Sequence, residues 1–471
     1  MTDSLKPFVS FEGFGFLKKM FIWSVLMEPM LYFIFYYGTV FLISGNLSKM
    51  LQTFFFLFLF FRYWVYFLSN QRYEINLNIL NSPIYFFLIL YLIYSLVSTL
   101  VGISFNMYSL ELTFDQVHDF PRGSFGSGVV SKILGSYFIF LYYILFFVFF
   151  TATFLNSNEV ISYFFRLFKL LFLFTIVTGY LDYFLFATTG IDLIARHFFD
   201  GVGVGQRFHG FAGEPRQAAV YLVFSLAVLQ LESIYFKTKF NNWYYFLIIP
   251  AFFLTVSVTA VLMLAIFISF ATIYFLRDFF SVRTLVFLII VCLAIFAGYI
   301  STIYIGRFSD YLEAFDDLFF LLDSGAELPL LIRVQIGEIA PIFEMFTMLR
   351  DGNVMPVIFG SGMGSIPVTL YGFMGNMDGW GNPNAQIVRI LFETGLLGAL
   401  LYTLAFIYPL KTLTKNFSIS DKRIILLSTM LLLSANFALR SPTLMIYFGL
   451  LIAVCTQINS RINSEQLNKN E

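Results

Sequence analysis

Charge is scarce in this chain: Asp, Glu, Lys and Arg together make up 12% of its 471 residues, about half of the roughly 25% that is usual in soluble domains. This scarcity excludes an ordinary soluble domain. The charges balance at a formal net charge of zero, which gives no reason to expect a nucleic-acid partner. Cysteine is scarce too. Cys292 and Cys455 both lie in apolar runs, so neither a disulfide framework nor a cysteine-based metal site is indicated.

Long apolar runs take the place of charge. Hydrophobic residues make up 59% of the chain, and runs of about 20 apolar residues, enough to cross a bilayer, recur from Phe21 almost to the C-terminus. We therefore predict an all-α polytopic membrane protein with about 12 transmembrane helices. The predicted spans are 21–44, 50–69, 79–103, 131–155, 160–187, 214–235, 243–256, 258–276, 281–304, 385–410, 422–439 and 441–457. The run 243–276 leaves two alternatives, one tilted helix or two short helices broken near Ser257 and Thr259.

The basic residues predict the orientation of these spans. With both termini in the cytoplasm, lysine gathers in the inner loops, as the positive-inside rule requires. The outer face then carries arginine almost alone, because its two lysines, Lys49 and Lys132, sit at span ends. The planar fork of arginine suits bidentate contact with phosphate, although an orientation bias against lysine in outer loops would leave the same pattern. The outer arginines are Arg122, Arg196, Arg207, Arg216, Arg307, Arg333, Arg350, Arg389 and Arg440.

Two outer loops are long enough to carry a function. The first is 188–213 and the second is 305–384, so the chain divides into transmembrane helices in 1–304, the large loop 305–384, and further helices with a cytoplasmic tail in 385–471. The stretch FSDYLEAFDDLFFLL in the large loop predicts an amphipathic helix, which lies on the membrane surface or caps the bundle. A helix containing Arg333 and the glycine-rich segment FGSGMGS follow it.

The stretch QRFHGFAGEPRQAAVYLVF places several ionisable groups at the start of an apolar run. Pro215 suits the first turn of a helix, and Glu214 is expected to cap the exposed backbone donors there, so the span should begin at 214. A helix N-terminus carries partial positive charge, which makes Arg216 unfavourable unless an anion or Glu214 compensates. With Arg207 upstream, the segment suits phosphate. The alternative is that both arginines reach lipid headgroups or pair with nearby carboxylates.

Two ordered segments resemble the O-antigen polymerase and O-antigen ligase superfamily. The first is the pattern R-x-x-G-F-x-x-E-P-x-x-x-A, which begins at Arg207 and opens a mid-chain span. The second consists of Arg333, a helix, the glycine-rich FGSGMG and then Asn384, which precedes the span IVRILFETGLLGALLY. Together the two segments cover residues 206–224 and 330–402.

The resemblance implies a fold and an activity. The fold would be GT-C-like, with the large helical extracytoplasmic loop between spans 9 and 10. The activity would be that of a metal-independent, cofactor-free glycosyltransferase in the bacterial cytoplasmic (inner) membrane, with both termini cytoplasmic and the active site facing the periplasm or exterior. Its substrate would be an undecaprenyl-diphosphate-linked oligosaccharide. Membrane lipid, a chain-length regulator and a flippase are the further candidate partners. As a polymerase, it would transfer the growing glycan onto an incoming lipid-linked repeat unit.

The resemblance also implies roles for single residues. A departing diphosphate needs its developing charge stabilised. The candidate ligands for it are Arg207 and Arg333, followed by Arg216, Arg196 and Arg389. The candidate general bases are His209, Glu214 and Glu338, and a solvated, non-catalytic loop histidine is the alternative for the first of these. The candidate loop-positioning residues are Gly210, Gly362 and Asn384.

One departure from the superfamily pattern bears on the function. The superfamily often has His-Asn just before the span after the large loop, with that histidine as the proposed base in ligases, whereas this chain has Pro383-Asn384. The difference favours a polymerase over a ligase that transfers finished glycan to an acceptor. A lipid-linked oligosaccharide flippase or another transporter is the alternative from a different class, although no internal repeat supports it.

Ionisable residues inside apolar runs are expected to pair or to act. Glu28 is predicted to pair with Arg62. Arg389 and Glu393 are spaced i,i+4, which predicts a pair along one helix face. Asp182, in the fifth predicted span, is assigned a structural role.

Overall fold

A computed structural model describes residues 15–30, 47–68, 83–105, 129–191, 193–194, 207–275, 341–342, 345, 348–366 and 385–470. Within these ranges the regular structure is helical, and they contain no β-strand. The helices, labelled in chain order, are α1 (Gly15–Leu26), α2 (Leu47–Leu68), α3 (Pro83–Ser104), α4 (Val129–Tyr142, continued by the π-helical Tyr143–Phe150 and by Thr151–Phe154), α5 (Asn158–Thr189), α6 (Pro215–Tyr235), α7 (Trp243–Leu254), α8 (Val258–Phe275), α9 (Val354–Phe359), α10 (Gln386–Leu413), α11 (Ile419–Ala438) and α12 (Thr443–Asn470).

Six of the described helices are long and apolar enough to cross a membrane. They are Pro83–Ser104, Ile133–Phe154, Asn158–Thr189, Pro215–Tyr235, Gln386–Leu413 and Thr443–Ile462. Three shorter apolar helices accompany them, at Ser48–Phe61, Trp243–Leu254 and Thr259–Thr272. The protein is therefore a helical membrane protein. The count of twelve spans, the division into a large loop with flanking helices, and the orientation stay predictions.

Local sequence signals start and stop the helices. The side chain of Ser157 accepts a hydrogen bond from the backbone N–H of Val160 at 3.4 Å and caps α5, which ends at Gly190 in the left-handed conformation (φ 73°). Pro215 occupies the first turn of α6, as predicted. Ser418 caps α11 by accepting from the backbone N–H of Asp421 at 3.1 Å.

The first predicted span differs from the structure. The helix α1 ends at Leu26 rather than running from 21 to 44. A turn follows immediately before Pro29, because proline lacks an N–H donor and restricts the residue ahead of it. The Glu28 carboxylate contacts the Lys49 ammonium at 2.6 Å, and its predicted pairing with Arg62 stays a prediction. The side chain of Arg62 lies outside the described residues.

The apolar run 243–276 is broken into two helices. The break lies between Leu254 and Val258, with Val256 at a positive φ of 44°. The helix α7 has 12 residues, a length of about 18 Å, which is short of the roughly 30 Å of a bilayer's hydrocarbon core. A residue from another part of the chain contacts the break: the backbone N–H of Phe208 donates to the carbonyl of Leu254 at 2.8 Å. The stretch ahead of α6 is thereby joined to the end of α7.

Polar contacts define one end of the bundle, which we name the Asn156 end. The carbonyl of Asn156 accepts from the Gln457 side chain at 2.6 Å, and its side chain accepts from Lys18 at 3.4 Å. The Asn158 side chain accepts from the hydroxyl of Tyr235 and from the guanidinium of Arg461, both at 2.7 Å. The start of α5 and the C-terminal parts of α6 and α12 therefore meet here.

The opposite end carries arginine, and we name it the arginine end. The contact between Asn416 and Asn459, at 2.9 Å, places the end of α10 beside the C-terminal part of α12. The N-termini of α6, α10 and α12 consequently lie at the other end of the bundle. The arginine end is defined by Arg207, Arg216, Arg389 and Arg440.

The segment that opens α6 sits over the middle of the bundle. In α6, 83% of the membrane-spanning window is buried, and in α12 the figure is 78%, against 28% in α3. These two helices are therefore central, and α3 is peripheral. The side chains at the N-terminus of α6 keep partial exposure, 17% for Glu214 and 28% for Arg216.

Candidate functional site

The segment ahead of α6 is folded tightly against its neighbours. A 3-10 turn, Gly210–Ala212, ends at Gly213 in the left-handed conformation (φ 77°). The ring of Phe208 lies over Gly179 of α5, where an added Cβ would stand 2.6 Å from the ring. Glycine at 179 is therefore what allows this segment to approach α5. The turn lies against α5, α6 and the end of α7, so its backbone is held from three sides.

His209 and Asp182 form a buried pair within this segment. Both side chains are 1% exposed, and the His209 Nε2 lies 3.1 Å from a carboxylate oxygen of Asp182. The other Asp182 oxygen accepts from the backbone N–H groups of Leu193 and Ile194 at 2.7 and 2.9 Å. The histidine Nδ1 lies 3.0 Å from the carbonyl of Gly210. One carboxylate thus ties the loop after α5 and the segment before α6 to the same helix.

This geometry disfavours His209 as a general base. The Nε2 atom faces the Asp182 carboxylate at 3.1 Å, Nδ1 lies 3.0 Å from a carbonyl oxygen, and the side chain is 1% exposed. A general base, in contrast, must lie within reach of the substrate proton. Through Asp182, His209 joins the segment ahead of α6 to α5 and to the loop after α5. A solvated loop histidine, the alternative interpretation, does not match the burial.

Glu214 does not cap α6 as the sequence predicts. It occupies the N-cap position with extended dihedrals, but its side chain makes no capping hydrogen bond. The carboxylate instead accepts a short hydrogen bond from the Arg216 Nε. The two side chains are 17% and 28% exposed. A cation in the first turn opposes the helix dipole, and the paired carboxylate offsets it. The predicted compensation of Arg216 by Glu214 is present.

A break in α10 forms the second candidate region. Gly395 has φ 67° and ψ −176° inside the helix, which leaves the carbonyls ahead of it without helical partners. The glycine-rich loop supplies them: the N–H of Ser361 donates to the carbonyl of Phe392 at 3.1 Å, and that of Gly362 donates to Glu393 at 2.7 Å. Gly362 itself has φ 106°. The loop FGSGMGS thus supplies hydrogen-bond donors to the carbonyls at the break in α10.

Two glycines permit this close crossing. A Cβ on Gly360 would stand 2.5 Å from backbone atoms of 393–395, and a Cβ on Gly395 would stand 2.2 Å from the carbonyl oxygen of Ile358. The hydroxyl of Tyr94, from α3, donates to the carbonyl of Thr394 at 3.2 Å beside the same crossing. The crossing therefore brings α9, α10 and α3 together.

Arg389 and Glu393 lie one turn ahead of this break. Their side chains are each 8% exposed and approach to 3.3 Å, so the predicted i,i+4 pair is present. The corner between α11 and α12 packs nearby, because Asn436 accepts from the Tyr402 hydroxyl at 2.7 Å and donates to the carbonyl of Ser441 at 2.9 Å. Arg440 sits in that corner.

Sequence reasoning missed two of these relations. It assigned Asp182 a structural role without naming His209 as its partner, and it left Arg440 among the outer arginines without a site. A carboxylate inside an apolar run needs a partner. The position of Asp182 in such a run was therefore the signal that a partner had to be sought for it. Arg440 follows α11 directly, and nothing in its local sequence reveals the neighbours from α10.

Several predicted residues lie outside the described part of the chain. They are Arg196, Arg333, Glu338 and Asn384. Residues that could hold a metal are not grouped in the described ranges, where no set of three or more His, Cys, Asp and Glu side chains comes together. Comparisons of the chain with protein-family models, with curated proteins and with solved structures found no match.

Proposed function

We propose that this protein is an integral membrane polymerase of bacterial surface polysaccharide. It transfers the growing glycan from undecaprenyl diphosphate to an incoming lipid-linked repeat unit. The observation that carries the proposal is the gathering of Arg207, Arg216, Arg389 and Arg440 at one end of a helical membrane bundle. A diphosphate leaving group requires concentrated positive charge, and guanidinium groups provide it with bidentate geometry.

The reaction needs three roles at this end of the bundle. An acceptor hydroxyl attacks the anomeric carbon of the donor sugar, the bond from that carbon to the diphosphate oxygen breaks, and a base removes the hydroxyl proton. Inversion at the anomeric carbon follows from a single displacement. In this proposal Arg207, on the segment that carries His209, holds the diphosphate. Arg333 stays the second proposed ligand.

Glu214 is the favoured general base among the three candidates. Its carboxylate keeps 17% exposure, whereas Asp182 and Glu393 at the same end of the bundle are 1% and 8% exposed. A base must reach a proton on a bound substrate, and a partly accessible carboxylate meets that condition. Arg216 beside it donates a charge-assisted hydrogen bond to this carboxylate. Glu338 is the rival.

A strain lacking the gene tests the function directly. Its surface glycan should carry single repeat units on the acceptor, and the wild-type gene should restore the full size ladder. Arg207→Ala and Arg333→Ala should each leave protein in the membrane at normal levels and yield only the single-repeat product. Arg166→Ala is the matched control, because this exposed arginine lies near the opposite end of the bundle.

Other outcomes separate the alternative functions. Polymer that accumulates on its lipid carrier in the deletion strain would identify a ligase. Loss of every glycan form would indicate a transporter, unless purified protein elongates substrate supplied in detergent. Full-length polymer from both arginine variants would refute the site assignment.

A further inference from the structure

A polar network joins α1, α2 and α4 inside the apolar part of the bundle. The Glu28 carboxylate accepts from the Ser48 hydroxyl and from the Lys49 ammonium, both at 2.6 Å. It also accepts from the Gln52 amide nitrogen at 2.7 Å, and the Gln52 oxygen accepts from the Tyr142 hydroxyl at 2.5 Å. We name these five residues the Glu28 network. The proposed function gives none of them a role.

The Glu28 network lies halfway through the membrane-spanning part of the bundle. Tyr142 stands near the centre of the 22-residue span Ile133–Phe154, with nine residues before it and twelve after it. Phe154 leads into a short connection to the span Asn158–Thr189, which places that end of both spans at a membrane surface. A hydrocarbon core is roughly 30 Å thick, and the residues bonded to Tyr142 therefore lie deep within it.

Lys49 is half-exposed at this depth, although the sequence predicts it at the end of a span. Its side chain keeps 50% exposure, against 9% for Glu28. Lysines near a membrane surface extend their stems to hold the ammonium in water. This ammonium is held inside, because it contacts Glu28 and lies 5.8 and 5.9 Å from the ring centroids of Tyr142 and Phe147. Hydrocarbon solvates a cation poorly, so a polar environment is needed beside Lys49.

The Lys49 ammonium also has a hydrogen-bond donor to offer. An ammonium carries three N–H donors. Within the described residues it has two acceptors, the Glu28 carboxylate at 2.6 Å and the Gln52 amide oxygen at 3.4 Å. The two aromatic rings beside it supply no oxygen. A third oxygen acceptor would complete the coordination of the ammonium, and a water molecule meets this requirement.

The exposed face of α2 changes character along the helix. Lys49, Thr53 and Leu57 are spaced four residues apart, which places them on one face of α2. All three side chains are exposed. The first two are polar, whereas Leu57 and then Phe61 are apolar and have the exposure expected of a surface in contact with lipid. The polar part of this face is therefore confined to the beginning of α2.

The direction of α2 shows from which end water can reach this polar part. The ring of Phe58 packs against that of Phe16 in α1, with 6.1 Å between the centroids. Phe16 lies two residues before Lys18, whose ammonium contacts Asn156 at 3.4 Å. The helix α2 thus runs toward the Asn156 end, and its apolar part lies on that side of Lys49. An aqueous path to Lys49 has to come from the opposite side, which is that of the arginine end.

We propose that a water-filled crevice enters the bundle beside α2 from the side of the arginine end and reaches the Glu28 network. The crevice is polar at Lys49 and Thr53, and it closes where the face of α2 becomes apolar at Leu57. Its occupant is water, which solvates the Lys49 ammonium and accepts its third hydrogen bond. The proposal stands on the Glu28 network and does not depend on the proposed function.

Cysteine labelling of the full-length protein in lipid nanodiscs tests the crevice. The probe is a charged methanethiosulfonate reagent, which stays in water and reacts with the thiolate form of cysteine. Lys49→Cys and Thr53→Cys should be labelled at least about 100-fold faster than Leu57→Cys, because apolar surroundings suppress the thiolate and exclude the reagent. The wild-type chain gives the background from its own two cysteines. Leu57→Cys is the matched control, since it lies on the same exposed face of the same helix.

Two results would overturn the crevice. Labelling of Lys49→Cys and Thr53→Cys as slow as that of Leu57→Cys would show that hydrocarbon lies beside all three positions. Equally fast labelling of all three would show that this face of α2 lies outside the membrane. Thr53→Cys keeps the test decisive if loss of the Lys49 ammonium disrupts the fold, because the Thr53 hydroxyl bonds to the backbone of its own helix at 2.8 Å and is not part of the Glu28 network.

Sealed vesicles that hold the protein in one orientation test the direction of entry. Reagent on one side should label Lys49→Cys together with Arg216→Cys, which marks the arginine end. Reagent on the other side should label Ser420→Cys, an exposed position at the start of α11 near the Asn156 end. Labelling of Lys49→Cys from the side that labels Ser420→Cys would contradict entry from the arginine end.

Discussion

The two arginine-bearing regions of this protein handle their charges in opposite ways. In the segment ahead of α6, His209 meets Asp182 at 3.1 Å and Arg216 meets Glu214 in a short hydrogen bond. In the second region, Glu393 of α10 pairs with Arg389, while Arg440, in the corner between α11 and α12, has no carboxylate within ion-pairing distance in the described residues. The first region holds its ionisable side chains in pairs, and the second has one more guanidinium than carboxylate.

The difference separates positioning from binding. A buried charge that is paired and hydrogen-bonded holds elements in place but has little left to offer a ligand. An arginine with no carboxylate partner keeps its donors for another acceptor. The Asp182 pair therefore shapes the segment that carries Arg207, whereas no ion pair among the described residues holds Arg440.

Removing the Asp182 carboxylate should give the largest loss of stability. Asp182→Ala leaves His209 without the carboxylate that faces its Nε2 and two backbone N–H groups without an acceptor. We expect a loss of about 3 to 5 kcal/mol in the free energy of unfolding, measured by chemical denaturation in detergent. Asp421→Ala is the control, because its exposed carboxylate sits in the first turn of α11. Wild-type stability in Asp182→Ala would mean that the pair does not hold the segment.

An alanine at Gly395 should come next. The added Cβ would stand 2.2 Å from the carbonyl oxygen of Ile358, at a φ and ψ that only glycine adopts readily. We expect a loss of about 2 to 4 kcal/mol, from strain and overpacking together. Gly352→Ala is the matched control, since its φ of 81° is also left-handed but nothing lies within 4 Å of the added atom. Equal losses in the two variants would show that the crossing of α9 and α10 is not tight.

Features set by neighbours along the chain were predictable from the sequence. The start of α6 at Pro215 and the i,i+4 pair of Arg389 and Glu393 follow from local spacing, and one of the two alternatives for 243–276 included the observed break. Apolar run length was enough to indicate a membrane protein. Each of these rests on residues no more than a few positions apart.

Features set by packing between helices were not predictable. Asp182 and His209 are far apart in sequence, and their pairing depends on how the segment ahead of α6 folds back on α5. The hydrogen bonds between the glycine-rich loop and the break in α10 depend on two backbone segments that cross at Gly360 and Gly395. Periodicity and composition carry no information about such crossings, and so the environment of Arg440 was not foreseen.

Neutralising Glu393 would sharpen the comparison between the regions. Glu393→Gln releases Arg389 from its counter-charge, so binding of geranylgeranyl diphosphate should tighten several-fold. Stability should fall by about 1 to 2 kcal/mol, because glutamine keeps an acceptor but not the charge. The matched control is Glu232→Gln, which breaks the 2.8 Å pair with Lys169 near the other end of the bundle. Both variants should lose stability, and only Glu393→Gln should change the affinity. Tighter binding in both variants would mean that net charge, rather than the release of Arg389, governs the affinity for the anion.

The smallest stability effect is expected at Arg216. Its pair with Glu214 is partly open to solvent, with side chains 28% and 17% exposed, and pairs of this kind contribute up to about 1 kcal/mol. Arg216→Ala also removes a cation that opposes the helix dipole, which offsets part of the loss. The free energy of unfolding should therefore fall by less than about 1 kcal/mol, and the difference should shrink further in high salt because exposed charges are screened. A double-mutant cycle with Glu214→Ala isolates the pairwise part. A coupling as large as the one expected at Asp182, and insensitive to salt, would mean that this pair behaves as a buried ion pair rather than as a partly exposed one.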